Sequence, residues 1–128
     1  ATFRTSAQGR DGVDVESMYQ LLVRFWAAVK AVFPEAWGRD PRHSRLMHSA
    51  GIEAMGVLMD RIYARVGPDE DVKLIEQELR KVAPHCHWTD GVWESLGLAW
   101  SEIQNTPRDI RRLQNALVQA YSVAGPKR

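Results

Sequence analysis

The chain has little cysteine, little net charge and no long apolar run, and each shortage removes a class of protein. Its 128 residues include one cysteine, Cys86, so an internal disulfide framework is impossible and a reducing compartment is compatible with the sequence. With 17 basic and 16 acidic residues the formal net charge is +1, so any attraction for a polyanion has to be local. No run approaches the roughly 18 apolar residues that cross a bilayer, and residues 1–12 lack the apolar segment of a signal peptide. We therefore expect a cytoplasmic protein with no membrane partner.

The sequence also lacks a complete catalytic motif. Ser, Cys, His and Asp are present, but none lies in a nucleophile elbow or a phosphate-binding loop. The run His85, Cys86, His87 has the residue types of a zinc site, but adjacent residues converge poorly on one ion and there is no second cysteine. We therefore predict a protein that is not an enzyme, with no catalytic residue, no metal and no cofactor.

The apolar pattern predicts a mostly α protein, a compact bundle of four principal helices. Apolar residues recur at steps of three and four in four segments, and Pro or Gly follows each segment. The predicted helices are 14–33, Asp40 or Ser44 to 66, 69–83 and 106–124. Short links between the first three favour antiparallel neighbours, as in an up-and-down bundle. We expect a single domain over 14–123, a flexible arm or linker stub at 1–13 and a tail at 124–128.

Residues 85–105 have no clean period and contain Trp88, Trp93 and Trp100. The Asp90–Gly91 turn signal makes an irregular segment with a possible short hairpin the expected structure before the last helix. Exposed tryptophans can stack on unpaired bases, but a small domain seldom leaves so much apolar area in water, so burial is favoured.

Two glycines lie inside the second predicted helix, Gly51 and Gly56. Each costs up to about 1 kcal/mol in helix propensity. We therefore expect another backbone or a ligand to come close at both positions.

Two predicted helix starts are rich in arginine. If the second helix begins at Pro41, then Arg42, Arg45 and His48 lie near one face of its first two turns. The positive end of a helix disfavours cations, so a bound phosphate would offset them. The last helix repeats the pattern. The predicted site for the phosphate of DNA or of a nucleotide consists of six residues: Arg42, Arg45, His48, Arg108, Arg111 and Arg112.

Two alternatives to the phosphate site remain open. Arg42 and Arg45 can pair with carboxylates of the acidic third helix or lie in water, and the arginines of the last helix can form a solvated face. The chain is then a structural or interaction module without a ligand. Its apolar surface would pack against the N-terminal domain of a longer parent protein or against a second copy in a homodimer.

Four pieces of the sequence point to a known family: FPEAWG (33–38), SRLMHSAGI (44–52), WTDGVW (88–93) and IQNTPRDI (103–110). Together they resemble the C-terminal helical region of bacterial DGQHR-domain proteins. That family is related to the ParB and sulfiredoxin-like fold and includes DndB-type regulators and partners of DNA-modification systems. The resemblance spans about 14–122 in order and implies a DNA-related role within a larger bacterial protein. The DGQHR signature itself is absent here, so no chemistry of the family's N-terminal portion carries over.

Overall fold

Four helices and one short hairpin make up the computed structural model, which describes residues 11–67 and 71–124, with side chains from 15–67 and 71–123. The helices are α1 (Asp11–Val32), α2 (Ser49–Val66), α3 (Val72–Val82) and α4 (Pro107–Ala124), and the strands β1 (Val92–Trp93) and β2 (Leu98–Ala99) pair antiparallel. The predicted mostly α class and the hairpin before the last helix are confirmed. Most of the predicted arm, 1–10, and residues 125–128 of the tail lie outside the described residues. The first helix begins three residues before the predicted Asp14.

Local hydrogen bonds explain where the later helices begin. Thr106 Oγ1 accepts from the Asp109 N–H at 3.2 Å, which confirms the predicted N-cap of α4. Asp71 Oδ1 accepts from the Leu74 N–H at 3.1 Å and caps α3. The predicted start of α2 at Asp40 or Ser44 is wrong. Residues 45–47 form a separate 3₁₀ turn, and His48 is extended, with φ −85° and ψ 153°, before α2 begins at Ser49.

The closest packing joins α1 with α3 and α2 with α4. Because consecutive helices pack less closely, a simple up-and-down bundle is wrong. α2 and α4 run in the same direction: Glu53 and Arg111 line one cavity near their starts, and the Arg65 guanidinium lies 5.4 Å from the Tyr121 ring near their ends. The positive ends of α2 and α4 therefore lie at the same end of the molecule.

The core lies between the helices and extends beneath the hairpin. Trp88 and Trp93 are buried, and their rings meet edge to face at 5.2 Å. Trp100 is half-buried, so burial of this segment's tryptophans is confirmed for two and partial for the third. The largest fully buried side chains are Phe25, Val29, Leu46, Met55, Leu58, Ile62, Ile75, Leu79, Val82, Ile103, Leu113 and Leu117.

Of the two glycines of α2, Gly51 agrees with expectation, whereas Gly56 and the position of the hairpin turn do not. A Cβ at Gly51 would overlap the Arg45 carbonyl oxygen, which confirms close backbone approach there. At Gly56 a Cβ would meet nothing within 4 Å, so that expectation is wrong. The hairpin turns at residues 94–97, with Gly97 at φ +69°, and not at Asp90–Gly91.

Candidate functional site

Arg45 is a structural side chain and faces inward. It is 9% exposed, and its guanidinium donates to the carbonyl oxygens of Ile103 at 2.9 Å, Ser101 at 2.7 Å and Pro41 at 3.1 Å. The guanidinium also lies 5.7 Å from the centre of the Trp100 ring. Three of its five N–H groups are therefore used within the fold. Arg45 ties the segment before α2 to the segment before α4.

Two hydrogen bonds to backbone carbonyl oxygens hold Arg45 in that position. The Arg45 N–H donates to the Trp88 carbonyl oxygen at 2.8 Å, and Ser44 Oγ donates to the Ala36 carbonyl oxygen at 2.9 Å. The expectation that Arg42, Arg45 and His48 share a helix face is wrong, because only Arg45 lies in the 3₁₀ turn.

Arg42 is exposed and neutralised locally. Its Nε and Nη2 each lie 3.1 Å from a carboxylate oxygen of Asp40. These hydrogen bonds, with one from the Arg42 backbone N–H, lower the pKa of Asp40 to about 2. The alternative in which Arg42 and Arg45 pair with carboxylates of the third helix is therefore wrong. Arg42 forms its ion pair with Asp40, and Arg45 donates to backbone carbonyl oxygens.

His48 acts as the N-cap of α2. Its Nδ1 accepts from the Ala50 N–H at 3.2 Å. Burial lowers the pKa of His48, and the charge of Arg45 lowers it further. An acceptor Nδ1 requires an unprotonated nitrogen, so the neutral imidazole fits this role.

The three arginines of α4 have different environments. Arg112 is half-buried and donates from Nη2 to the Leu96 carbonyl oxygen at 2.8 Å, which fixes the hairpin. Arg108 is exposed, with Nε 3.9 Å from Asp109 Oδ1. Asp109 itself is buried and accepts from the Gln104 N–H at 2.9 Å. Arg111 is exposed and has no hydrogen-bond or ion-pair partner among the described side chains.

Arg108 and Arg111 belong to a larger polar surface that we call the outer face of α4. Its members recur at steps of three and four along the helix and are all exposed. Asp109 is the one acidic residue of α4 and is buried, so this face carries no carboxylate. The outer face consists of Arg108, Arg111, Asn115, Gln119 and Ser122.

Asn115 and Gln119 are uncharged and belong to neither arginine cluster, so the charge pattern of the sequence does not indicate them. A signal was present, since both residues lie opposite the apolar stripe that contains Leu113 and Leu117. The periodicity that predicted the buried face of α4 therefore also marked its outer face.

A groove of about 450 Å³ joins the starts of α2 and α4. Arg111 and Gln114 line it from α4, Asn105 from the preceding segment, and Glu53 from α2. The two helix starts predicted to bind phosphate are thus adjacent. Their arginines nonetheless do not converge, because Arg45 lies inside and Arg42 pairs with Asp40.

The His85, Cys86, His87 run is divided between two cavities. His85 and His87 line a half-open space of about 470 Å³ beside α4, whereas Cys86 lines a smaller one of about 260 Å³ with Trp88. Burial raises the pKa of the Cys86 thiol, and its Sγ donates to the Val82 carbonyl oxygen at 3.4 Å. Within residues 11–67 and 71–124, no three His, Cys, Asp or Glu side chains are placed to hold a metal ion.

No helix in those same ranges is both long and apolar enough to span a bilayer.

Comparison of the chain with protein-family models, with curated proteins and with solved structures finds no match. The DGQHR resemblance therefore stays a prediction. Function has to be inferred from the geometry.

Proposed function

We propose that this helical unit is a non-enzymatic nucleic-acid-binding module that contacts phosphates through Arg108 and Arg111 at the start of α4. It would act in the cytoplasm as part of a larger DNA-associated protein, as the family resemblance implies. The supporting observation is the outer face of α4, which presents two exposed arginines and no carboxylate at the positive end of a helix.

The contrast with the other arginines supports this assignment. Arg45 and Arg112 donate to backbone carbonyls, and Arg42 pairs with Asp40. Arg111 has no such partner among the described residues, and the Asp109 oxygen nearest Arg108 lies 3.9 Å away. A guanidinium fork left in water at a helix start is well suited to a phosphate oxygen pair.

The test is a titration of the chain against a fluorescein-labelled 20-base-pair duplex and a 20-nucleotide single strand, read by anisotropy at several salt concentrations. In Arg108→Ala/Arg111→Ala, affinity should fall and the slope of log K against log salt should decrease by about 0.9 per lost duplex phosphate contact. Lys73→Ala/Arg80→Ala removes the same charge from exposed positions of α3 and serves as the control. Equal losses in both double variants, or no binding by the unmodified chain at low salt, would contradict the proposal.

A second candidate function, interaction with another protein, is favoured by α1. This helix has 22 residues and packs on α3, which has 11, so part of α1 projects beyond its partner. On one side of α1, Val15 is 68% exposed, Tyr19 60% and Val23 44%. Such an apolar stripe suits a helix from the parent protein's N-terminal domain or from a second copy of this chain.

Light scattering over a range of concentrations tests self-association through this stripe. A dimer in the unmodified chain that dissociates in Tyr19→Ser/Val23→Ser would support it. A monomer at every concentration would exclude the second copy and leave only a different chain as partner.

A further inference from the structure

We propose that α4 is a base-reading helix, whose outer face enters the major groove of duplex DNA and whose Asn115 and Gln119 hydrogen-bond to base edges. The inference rests on the proposed nucleic-acid-binding function and goes beyond it. Phosphate contacts alone position a protein on DNA, whereas contacts to base edges select a sequence.

The side-chain chemistry of the outer face changes along α4. A face that only tracked the backbone would repeat Lys or Arg along its length. On α4 the arginines stop after Arg112, and the next exposed positions are the carboxamides Asn115 and Gln119. A carboxamide donates and accepts from one planar group, which matches N6 and N7 of adenine in the major groove.

The carboxamides of Asn115 and Gln119 are available to a ligand. Neither Asn115 nor Gln119 makes a hydrogen bond to another described residue, and both are exposed. Gln20 and Gln104 donate to Glu16 and to the Glu102 carbonyl oxygen, whereas Gln77 resembles the α4 pair in making no hydrogen bond to a described residue. The α4 carboxamides therefore contribute no hydrogen bond to the described fold.

The shape of α4 also suits a major groove. α4 has 18 residues and is about 27 Å long, with a cross-section of about 10–12 Å that a major groove about 12 Å wide admits. Its buried side rests on α2 and α3, and rigid support of this kind is found behind the recognition helices of helix-turn-helix proteins. Asn115 and Gln119 lie one turn apart on the outer face, so both can reach base pairs within one groove.

Two carboxylates flank the outer face and restrict how it can dock. Glu53 lines the groove that contains Arg111, and Glu94 lines the cavity that contains Gln119. Both repel phosphates, so a backbone strand is disfavoured over either flank. The DNA is therefore expected to approach along the line of the outer face that contains Arg108, Arg111 and Asn115.

The experiment is selection from a duplex DNA pool with a randomised 12-base-pair centre, followed by anisotropy titration of the enriched sequence and of a scrambled duplex. The unmodified chain should enrich a motif. Asn115→Ala/Gln119→Ala should bind the scrambled duplex within about twofold of the unmodified chain. Its preference for the motif should fall by about tenfold or more, the discrimination of one bidentate base contact.

Two further variants make the result specific. Gln119→Glu keeps the shape but replaces an amide donor with a second acceptor oxygen, so the preferred base should change from adenine towards cytosine. Gln77→Ala removes an exposed carboxamide from α3 and should leave the motif unchanged.

The outcomes separate the inference from the function on which it rests. Salt-dependent duplex binding without an enriched motif, or with a motif that survives Asn115→Ala/Gln119→Ala, overturns base reading and leaves the phosphate function intact. Stronger binding to a single strand than to the duplex also overturns a major-groove contact. No binding to any probe at low salt overturns both proposals.

Discussion

Arg45, before α2, and Arg111, in the first turns of α4, lie at the same end of the molecule but in opposite environments. Arg45 contacts turns and a short 3₁₀ helix (Trp100–Glu102), and its guanidinium donates to three carbonyl oxygens that lie outside the α-helices and strands. Arg111 lies within the regular helix α4, where neighbouring carbonyl oxygens accept from backbone N–H groups. Carbonyl oxygens outside the α-helices and strands thus hold the Arg45 side chain inside the fold. The Arg111 side chain remains in solvent, because the carbonyl oxygens around it already accept from backbone N–H groups of the helix.

The largest expected effect is a difference in the free energy of unfolding between substitutions at Arg45 and at Arg111. Arg45→Lys keeps the charge, but the three N–H groups of lysine share one nitrogen and cannot span the carbonyl oxygens that Nε, Nη1 and Nη2 of Arg45 reach, so some of these oxygens lose their donor. We expect the free energy of unfolding to fall by about 3 kcal/mol. Arg111→Ala should change it by less than about 0.5 kcal/mol, as is usual at an exposed site. Urea unfolding followed by tryptophan fluorescence measures both, and equal effects would remove the distinction between an internal and an external arginine.

The next prediction concerns the backbone beside Arg45. Gly51→Ala places a Cβ against the Arg45 carbonyl oxygen, so the 3₁₀ turn has to move, and we expect a loss of about 2 kcal/mol. Gly56→Ala is the matched control, because it lies in the same helix with open space and should stabilise the protein by about 0.5–1 kcal/mol. If both substitutions stabilise, the contact between α2 and the turn is not tight.

Periodicity and end signals in the sequence were sufficient to predict four helices, but not the start of α2 or the environments of the arginines. Pro34, Thr106 and the apolar stripe of α4 act within a few residues of chain, and the helices they indicate are present. The Arg45 hydrogen bond to Ile103 spans 58 residues. No local pattern shows which arginine will meet carbonyls from a distant irregular segment, so Arg45 and Arg111 look equivalent in the sequence.

The start of α2 was misplaced for a similar reason. A continuous helix from Pro41 satisfies local preferences, but the tie between the Arg45 N–H and the Trp88 carbonyl oxygen requires a break before Ser49. His48 then caps the new helix start. Histidine is a less common cap than Ser, Thr, Asp or Asn, so the sequence signal for this boundary was weak.

The third prediction uses that unusual cap. The pKa of His48 is lowered below 6.5 in the fold, so the unfolded chain binds the proton more readily. The contribution to stability is complete above pH 6.5 and is lost as pH falls through the lowered pKa. Protonation of Nδ1 also removes the acceptor for Ala50, worth about 1 kcal/mol for a typical cap.

The variant His48→Asn separates the cap from the titration. Asparagine retains a cap oxygen and carries no proton in this range, so the variant should be nearly as stable as the unmodified chain at pH 7.5 and more stable at pH 5. Urea unfolding at the two pH values gives the comparison. Parallel pH profiles for the two proteins would exclude His48 as the source of the acid sensitivity.

The smallest expected effect is a change in duplex affinity when a carboxylate beside the outer face is neutralised. Glu53 lines the same groove as Arg111, where its carboxylate repels an approaching phosphate. Glu53→Gln should therefore strengthen duplex binding by about twofold to threefold at low salt, with a gain that shrinks as screening increases. Glu16→Gln, on the projecting half of α1, removes the same charge and should have no effect. Arg45 is buried and Arg42 is paired with Asp40, so the phosphate that responds to Glu53 is expected to lie next to Arg111. Equal gains in affinity for Glu53→Gln and Glu16→Gln would place the DNA elsewhere.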